Sequence, residues 1–344
     1  MMEQLTWIEP GRLEWWDVPA PVLEDDGQAL VRPLAVARCD LDLHIHTGGY
    51  RNPGPFAFGH EVAGEVVEVG DAVSTVAPGD RVMVPFQINC GACGNCRRGW
   101  TNACTAVPPL ASFGLGTHPE GDWGGGFSDL MRIPFADAML LPVPDTLSLE
   151  AAAGLGDNVA DGLRTVVPLI ERFPDEPVLV VGGLAHSVGL YAVLAALAAG
   201  APAVHYTDFD AGRVAIASAA CAEARCIDYG VEHAHDERFL ITVDASATPA
   251  GLAYALRSTA ACGRCTGVSG GAGGSVPLPL PGMYLRGATY EVSRVHSRAT
   301  LPQVVQCVCE AGLDPLAFAA PVLDFSQAPE AMADPAPKLV FRRG

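Results

Sequence analysis

Pro177-Val178-Leu179-Val180-Val181-Gly182-Gly183-Leu184-Ala185-His186-Ser187-Val188-Gly189 is the stretch that decides the fold. A continuous apolar run ending in two glycines reads as a strand buried on both faces, as in a parallel sheet. Val188 to Gly200 then reads as an Ala/Leu helix, and Val204 to Asp208 as a short strand ending in an acid. Strand, helix and strand in this order make a βαβ unit of a doubly wound sheet. A glycine turn between strand and helix lets main-chain N–H groups and the helix N-terminus meet a pyrophosphate. A strict G-x-G-x-x-G register ending on Gly189 would place glycines at 184 and 186, where this chain has Leu184 and His186. The turn alone leaves a dinucleotide site and a cofactor-free α/β domain both open. Asp208 tips the balance, because it ends the second strand 19 residues after Gly189. There a carboxylate can bind both ribose hydroxyls and repel a 2′-phosphate, so NAD is expected over NADP. Arg213, five residues further, is expected to flank the adenine.

Working outward, Ser148 with Glu150 to Ala153 gives an N-cap followed by good helix formers, and the helical pattern runs to Val167. The doubly wound domain is therefore expected over residues 151–287. Ile241 to Asp244 and Cys265 to Val268 read as further strands of the same sheet, Leu278 to Pro281 as an irregular crossover, Leu301 to Gly312 as a helix and Lys338 to Phe341 as a last strand. Upstream, residues 1–38 alternate short apolar runs with Pro and Gly. Gly59 to Val84 carries short β-branched strands with glycines at the bends, which suggests a small β-barrel.

The chemistry sits upstream. Cys39-Asp40-Leu41-Asp42-Leu43-His44 and Gly59-His60-Glu61 supply a thiol, an imidazole and neighbouring carboxylates. Thiolate and imidazole suit a borderline-soft ion such as zinc, and a catalytic zinc needs three protein ligands with one position open. A third ligand must then come from further along. Separately, Cys90, Cys93, Cys96 and Cys104 follow a C-x2-C-x2-C-x7-C pattern that can wrap one tetrahedral zinc. With all four positions filled, that ion is structural. Cys262 and Cys265 form a second C-x-x-C without further ligands at finger spacing, and read as strand-end thiols.

At 344 residues, with 49% hydrophobic and 17% charged residues, the chain suits two globular domains. A net charge of −18 argues against a nucleic-acid or anionic-membrane surface. Met1 to Glu9 has no basic patch followed by an apolar run, so no signal peptide is expected. Val178 to Ala203 is broken by glycines, His186 and Ser187 and does not read as membrane-spanning. Eleven cysteines without an export signal point to thiols in a reducing cytoplasm, where metal binding is favoured over disulfides.

With the four-cysteine lobe, Gly59-His60-Glu61-x-x-Gly64, the 21-residue step from Cys39 to His60 and the βαβ unit in this order, the whole chain resembles the zinc-dependent medium-chain dehydrogenases. These are the alcohol, polyol and threonine dehydrogenases. The resemblance implies an α/β protein: a GroES-like β-barrel catalytic domain over 1–150 and 288–344, with a structural-zinc lobe near 88–106, and a Rossmann domain between. It implies hydride transfer between an alcohol and NAD(P), two zincs per chain, and a homodimer or homotetramer. A secondary alcohol or polyol is favoured as the small-molecule substrate, its oxygen in the open position of the catalytic zinc.

Position by position, the resemblance makes Cys39 and His60 catalytic-zinc ligands and Glu61 a neighbour that can enter the shell. Asp42 matches the acid that orients the zinc-bound histidine, and His44 the histidine that passes a proton towards solvent. Asp157, in Gly156-Asp157-Asn158, stands where many members place a third ligand. Gly183, Ser187, Val188, Gly189, Asp208, Arg213, Ser246, Val268 and Lys338 are the expected cofactor contacts, with Lys338 on the pyrophosphate. His46, Tyr50 and Trp123 adjoin the substrate pocket by analogy. One departure matters most. Where the family has a hydroxyl two residues after the cysteine, this chain has Leu41, which has no proton to exchange. A carbonyl or enoyl reductase of the same fold, or a non-catalytic zinc protein that binds nucleotide, are the alternatives this leaves.

Overall fold

The computed structural model describes residues 1–49, 53–116, 123–229, 233–270 and 275–344. It divides into two compact units, Met1–Asp157 with His296–Pro302 and Pro315–Gly344, and Asn158–Val295 with Gln303–Asp314. The first boundary falls at 157/158, not 150/151, the second at 295/296, not 287/288, and residues 303–314 group with the second unit.

The first unit is built on a seven-stranded sheet in the order Leu323–Asp324, Val340–Arg342, Ala29–Ala37, Glu61–Val69, Arg81–Val84, Leu141–Pro142, with Met131–Ile133 also pairing Ala29–Ala37. The last strand of the chain thus pairs antiparallel with a strand near its start, Val340 opposite Ala37. Val31, Val36, Val62, Val66, Val82 and Val84 are buried along these strands, as β-branched residues on a packed face should be. A three-stranded sheet, Arg12–Val18, Met2–Glu9 and Phe56–Ala57, accompanies it.

The second unit carries a six-stranded sheet in the order Glu223–Cys226, Val204–Asp208, Val178–Val181, Phe239–Asp244, Thr259–Gly267, Thr289–Val292. Every pairing is parallel. This is the doubly wound order expected, and it reverses between Val178–Val181 and Phe239–Asp244, where such sheets open a ligand crevice. All four residues of Val178–Val181 are buried. The helix His186–Ala198 covers the strand and packs on the long helix Asn158–Arg172.

The helical pattern from Ser148 to Val167 is not one helix. Ser148 caps Leu149–Ala153, Gly154–Gly156 forms a 3-10 turn, and Asp157 leaves helical geometry at φ −131°, ψ −92° before Asn158–Arg172 begins. Two glycines in three residues lower the cost of that break. Similarly, the expected Leu301–Gly312 helix spans Ser297–Glu310, with Pro302 inside it. No helix among the described residues is long and apolar enough to cross a membrane.

Candidate metal centre

Antiparallel register explains why Cys39 and His60 meet. Ala37 pairs with Glu61, so Cys39 just past one strand and His60 just before the other leave the sheet at the same edge. Gly59 makes the approach possible: its φ is +88°, and a Cβ there would sit 2.6 Å from the Phe127 ring. Cys39 caps the short helix Asp40–His46, and its sulfur accepts the Leu41 main-chain N–H at 3.4 Å. Asp157, freed by the helix break, brings its Oδ2 to 3.1 Å from His60 Nε2. The thiol of Cys39, the imidazole of His60 and the carboxylate of Asp157 offer three buried ligand atoms, all within 4.8 Å of one another.

Asp42 ties the group together. Its Oδ2 accepts the Cys39 main-chain N–H at 2.9 Å, and its Oδ1 lies 3.1 Å from His60 Nδ1. One fully buried carboxylate therefore fixes the backbone of one candidate ligand and the ring of the other. A His60 Nδ1–H directed at Asp42 leaves Nε2 with a lone pair aimed at the Asp157 side. Burial and then Asp157 raise the Cys39 thiol well above its ordinary pKa. Burial works to lower the His60 pKa, but Asp42 and Asp157 outweigh it and the ring ends well above its ordinary value. A divalent ion held here would displace protons from the thiol and the imidazole. A thiolate, an imidazole and a carboxylate are a donor set that fits zinc.

Phe86 packs its ring 5.3 Å from that of His60. Ser297 Oγ donates to the Gly156 carbonyl, and Gln87 Oε1 accepts the Ser297 N–H at 3.1 Å. Ser297 and Gln87 thus fix the turn that presents Asp157. Arg38, also buried, donates to the carbonyls of Met332, Asp334 and Ala336. Sequence reasoning missed all three, because their partners lie 141 to 298 residues away.

Lys338, expected on the pyrophosphate, makes a contact that sequence did not announce. It is buried in the first unit, and its Nζ is ion-paired with Glu61. Burial pushes the Glu61 carboxyl up to about 7, with Lys338 opposing. Glu61 thus carries an ion pair with Lys338 while lying close enough to the centre for Asp157 and His60 to act on its charge. Leu41 and His44 are half-buried on the Asp40–His46 helix. Trp123 is half-buried, His46 is buried, and Tyr50 lies outside the described residues.

The four-cysteine lobe gathers as its spacing predicts. Cys90, Cys93, Cys96 and Cys104 offer sulfurs all within 4.8 Å of one another, and none is in a disulfide. Main-chain N–H groups point at the sulfurs: Cys93 N to Cys90 Sγ at 3.3 Å, Cys90 N to Cys104 Sγ at 3.4 Å, Cys96 N to Cys93 Sγ at 3.5 Å. The Cys96 main-chain N–H is the largest influence bringing the Cys93 thiol down to about 5, whereas burial sends Cys96 up to about 12. Four sulfurs surrounded by N–H donors suit a tetrahedral zinc.

In the second unit the glycine turn is pinned to the neighbouring strand end, Leu184 N donating to Ser246 O at 2.9 Å and Ala185 N to Ala245 O at 3.2 Å. Ser187 Oγ donates to Asn158 Oδ1 at 2.7 Å, so its hydroxyl braces the long helix. Val188 and Gly189 are buried at the helix start. Ser246 donates from N and Oγ to Asp244 Oδ1, at 3.1 and 2.5 Å, and Val268 is half-buried beyond the next strand.

Asp208, at the end of its strand, is buried and hydrogen-bonded within the second unit. Its Oδ1 accepts Asp210 N at 2.9 Å and Arg213 Nη2 at 2.7 Å, and its Oδ2 accepts Tyr206 Oη at 2.6 Å and Arg213 Nε at 2.9 Å. Arg213, expected at the adenine, is held on Asp208 and over the Phe209 ring, 5.1 Å from its centroid. Asp208 and Arg213 stand five residues apart, across the start of the helix Ala211–Ala219, and the sequence distance alone did not reveal their pairing.

A family model described as the alcohol dehydrogenase GroES-like domain matches residues 25–145. The "probable zinc-binding alcohol dehydrogenase Rv1895" of Mycobacterium tuberculosis is 30% identical over 301 residues, 86% of this chain and 75% of that one. Sorbitol dehydrogenase of Bacillus subtilis is 32% identical over 276 residues, 77% of this chain and 74% of that one. The chain spans only 37% of the glutathione-independent formaldehyde dehydrogenase of Pseudomonas aeruginosa, at 34% identity over 148 residues. Among solved structures, alcohol dehydrogenase TADH from Thermus sp. ATN1 matches with a TM-score of 0.88 and 26% identity, covering 99% of this chain and 100% of that one.

Proposed function

The chain belongs to the zinc-dependent medium-chain dehydrogenase family, and within it we propose an NAD-dependent dehydrogenase of secondary alcohols or polyols. The observation that carries this reading is the convergence of Cys39, His60 and Asp157, with Asp42 behind two of them. Zinc, when bound, supplies Lewis-acid chemistry, and a nicotinamide dinucleotide supplies the oxidant. Cys39, His60 and Asp157 would hold the catalytic ion, and three protein ligands leave a fourth position for substrate. Asp42 holds the proton on His60 Nδ1, and Phe86 gives the site an apolar wall. Glu61 stays with Lys338. Leu41 offers no hydroxyl, so a proton leaving the substrate would reach His44 through water. Cys90, Cys93, Cys96 and Cys104 would hold a second, structural zinc.

The carboxylates Asp208 and Asp210 after the second strand favour NAD over NADP. Exposed Leu280, Tyr284 and Leu285, beside an edge strand Thr289–Val292, support association into a homodimer or homotetramer. The eleven cysteines, all free, favour a cytoplasmic setting. Polyol substrates are favoured by Asp157 and by the likeness to sorbitol dehydrogenase. Leu41 lends some weight to a same-fold carbonyl reductase. The test is NADH formation against a panel of secondary alcohols and polyols, alongside zinc analysis, in the wild type and Leu41→Ser. Two zincs per chain with turnover of at least one alcohol, improved by Leu41→Ser, is expected. One zinc and no alcohol turned over would overturn the reading.

A further inference from the structure

Arg164 stands on the long helix Asn158–Arg172, and its guanidinium turns inward. It is ion-paired with Asp161, one turn earlier, and each of the two side chains is only 12% exposed. The rest of the fork leaves the helix altogether. Arg164 Nη2 donates to the Ser293 carbonyl at 2.6 Å and reaches the Gly267 carbonyl at 3.5 Å. Gly267 is the last residue of the strand Thr259–Gly267, Ser293 is the first past Thr289–Val292, and Gly267 pairs with Val292 at the end of their ladder. One guanidinium therefore ties together the carboxyl ends of two adjacent parallel strands. Val268 N donates to Asp244 O at 3.2 Å, which joins the same edge to Phe239–Asp244.

Thr289–Val292 lies at the border of its sheet, so the ladder fixes it from one side only. Its exit needs a second anchor, and Arg164 is one. Buried ion pairs add little net stability; what this one adds is position. A dinucleotide lies across the crevice where the strand order reverses, one half on either side. The glycine turn and the acid-ended strand Val204–Asp208 belong to one side, which takes the adenosine half. The nicotinamide half then meets the ends of Phe239–Asp244, Thr259–Gly267 and Thr289–Val292. A nicotinamide carries an amide with a carbonyl acceptor and an NH2 donor, so the spacing of main-chain groups past these ends sets how well the ring is held. The same helix reaches the other side, because Asn158 Oδ1 accepts the Ser187 hydroxyl at 2.7 Å just past the glycine turn. Asn158 and Arg164 are six residues apart, about 9 Å of helix.

We infer that Arg164, held by Asp161, is a positioning residue for the nicotinamide ring: it fixes the strand ends at Gly267 and Ser293 on which that half of the dinucleotide rests. The inference rests on the nicotinamide-dinucleotide reading above and deepens it. Arg164 touches neither ring nor phosphate in this account. It acts through the two carbonyls and the main chain that follows them.

The test compares NADH with ADP-ribose, which keeps the adenosine and both phosphates but lacks the nicotinamide ring. Binding of each is measured by isothermal titration, and the emission of bound NADH reports the surroundings of its ring. The double variant Asp161→Asn with Arg164→Met removes both buried charges together, so neither is left unpaired. It is expected to weaken NADH about 10-fold, the loss of one charged hydrogen bond, to leave ADP-ribose within about 2-fold, and to shift the emission of bound NADH towards that of free NADH. Arg164→Lys keeps the charge beside Asp161 but lacks the fork, and is expected to fall between wild type and the double variant. If the double variant does not fold, Arg164→Lys decides alone. NADH and ADP-ribose weakened by the same factor, or NADH unchanged, overturns the inference while leaving the cofactor reading intact. A wild type that binds neither ligand overturns the cofactor reading and the inference with it.

Discussion

Replacing Asp42 by Asn tests the centre where it is most constrained. The substitution keeps the shape but leaves one acceptor oxygen and puts an NH2 group in place of the other. Asp42 accepts the Cys39 N–H at 2.9 Å and stands in ion-pair contact with His60 Nδ1 at 3.1 Å. Whichever way the amide is turned, its NH2 faces one of them. Turned towards Cys39, it breaks the cap that sets the thiol. Turned towards His60, it accepts no proton from Nδ1, and the ring shifts its hydrogen to Nε2, the atom needed as ligand. Either way one charge-assisted contact is lost in a dry site, about 1.5–3 kcal/mol, or roughly 10- to 100-fold in metal affinity. The four-cysteine lobe is an internal control, because its sulfurs are bonded by their own main-chain N–H groups and not by Asp42. Wild type and Asp42→Asn would be dialysed against graded chelator and their zinc per chain measured by atomic emission. The variant should lose one zinc at a chelator level about 10- to 100-fold lower and keep the other. Excess zinc should restore alcohol turnover. If Asp42→Asn holds both zincs as tightly as wild type, Asp42 does not organise the ligands.

Two further outcomes follow from buried carboxylates. Lys338→Met strands Glu61 as an unpaired buried acid and should cost about 3–5 kcal/mol in urea unfolding, whereas Lys338→Met with Glu61→Gln should recover most of it. A double variant no more stable than the single one refutes the pairing as the cause. Asp244 is buried at the end of its strand, and burial raises its pKa from 3.8 to about 6. The folded state then binds the proton more tightly than the unfolded chain, so this residue's contribution to stability falls as pH rises from about 4 to about 6, by about 3 kcal/mol in all. Asp244→Asn removes that penalty, so its unfolding free energy relative to wild type should improve between about pH 4.5 and pH 8. A difference independent of pH would show that Asp244 ionises as freely in the fold as outside it.

Features governed by local pattern were legible in the sequence. The run Val178–Val181 with its glycines announced a buried parallel strand, and four cysteines within fifteen residues could hardly avoid gathering. The Ser148 to Val167 segment misled because propensity favours continuing a helix through Ala-rich sequence. The signal was present in Gly154 and Gly156, which bracket the break that turns Asp157 towards His60. At Asp208 an acid at a strand end was visible, but not that Arg213 would fold back over one helical turn and occupy it. That outcome depends on side-chain packing beneath Gly182, which no spacing encodes.

Lys338 shows why the remainder was out of reach. It lies 277 residues from Glu61, and nothing local to either residue names the other. Register does. Val340 pairs with Ala37, and Ala37 pairs with Glu61, so three distant segments end on one sheet edge. The same register brings Cys39 and His60 out at that edge. The metal ligands and the cation that neutralises the adjoining acid are therefore not separate provisions. A one-residue slip of the last strand would turn every side chain along it to the opposite face, taking Lys338 from Glu61. The C-terminal strand belongs to the centre as much as to the sheet, and the loss expected for Lys338→Met measures how much of its role passes through that one ammonium.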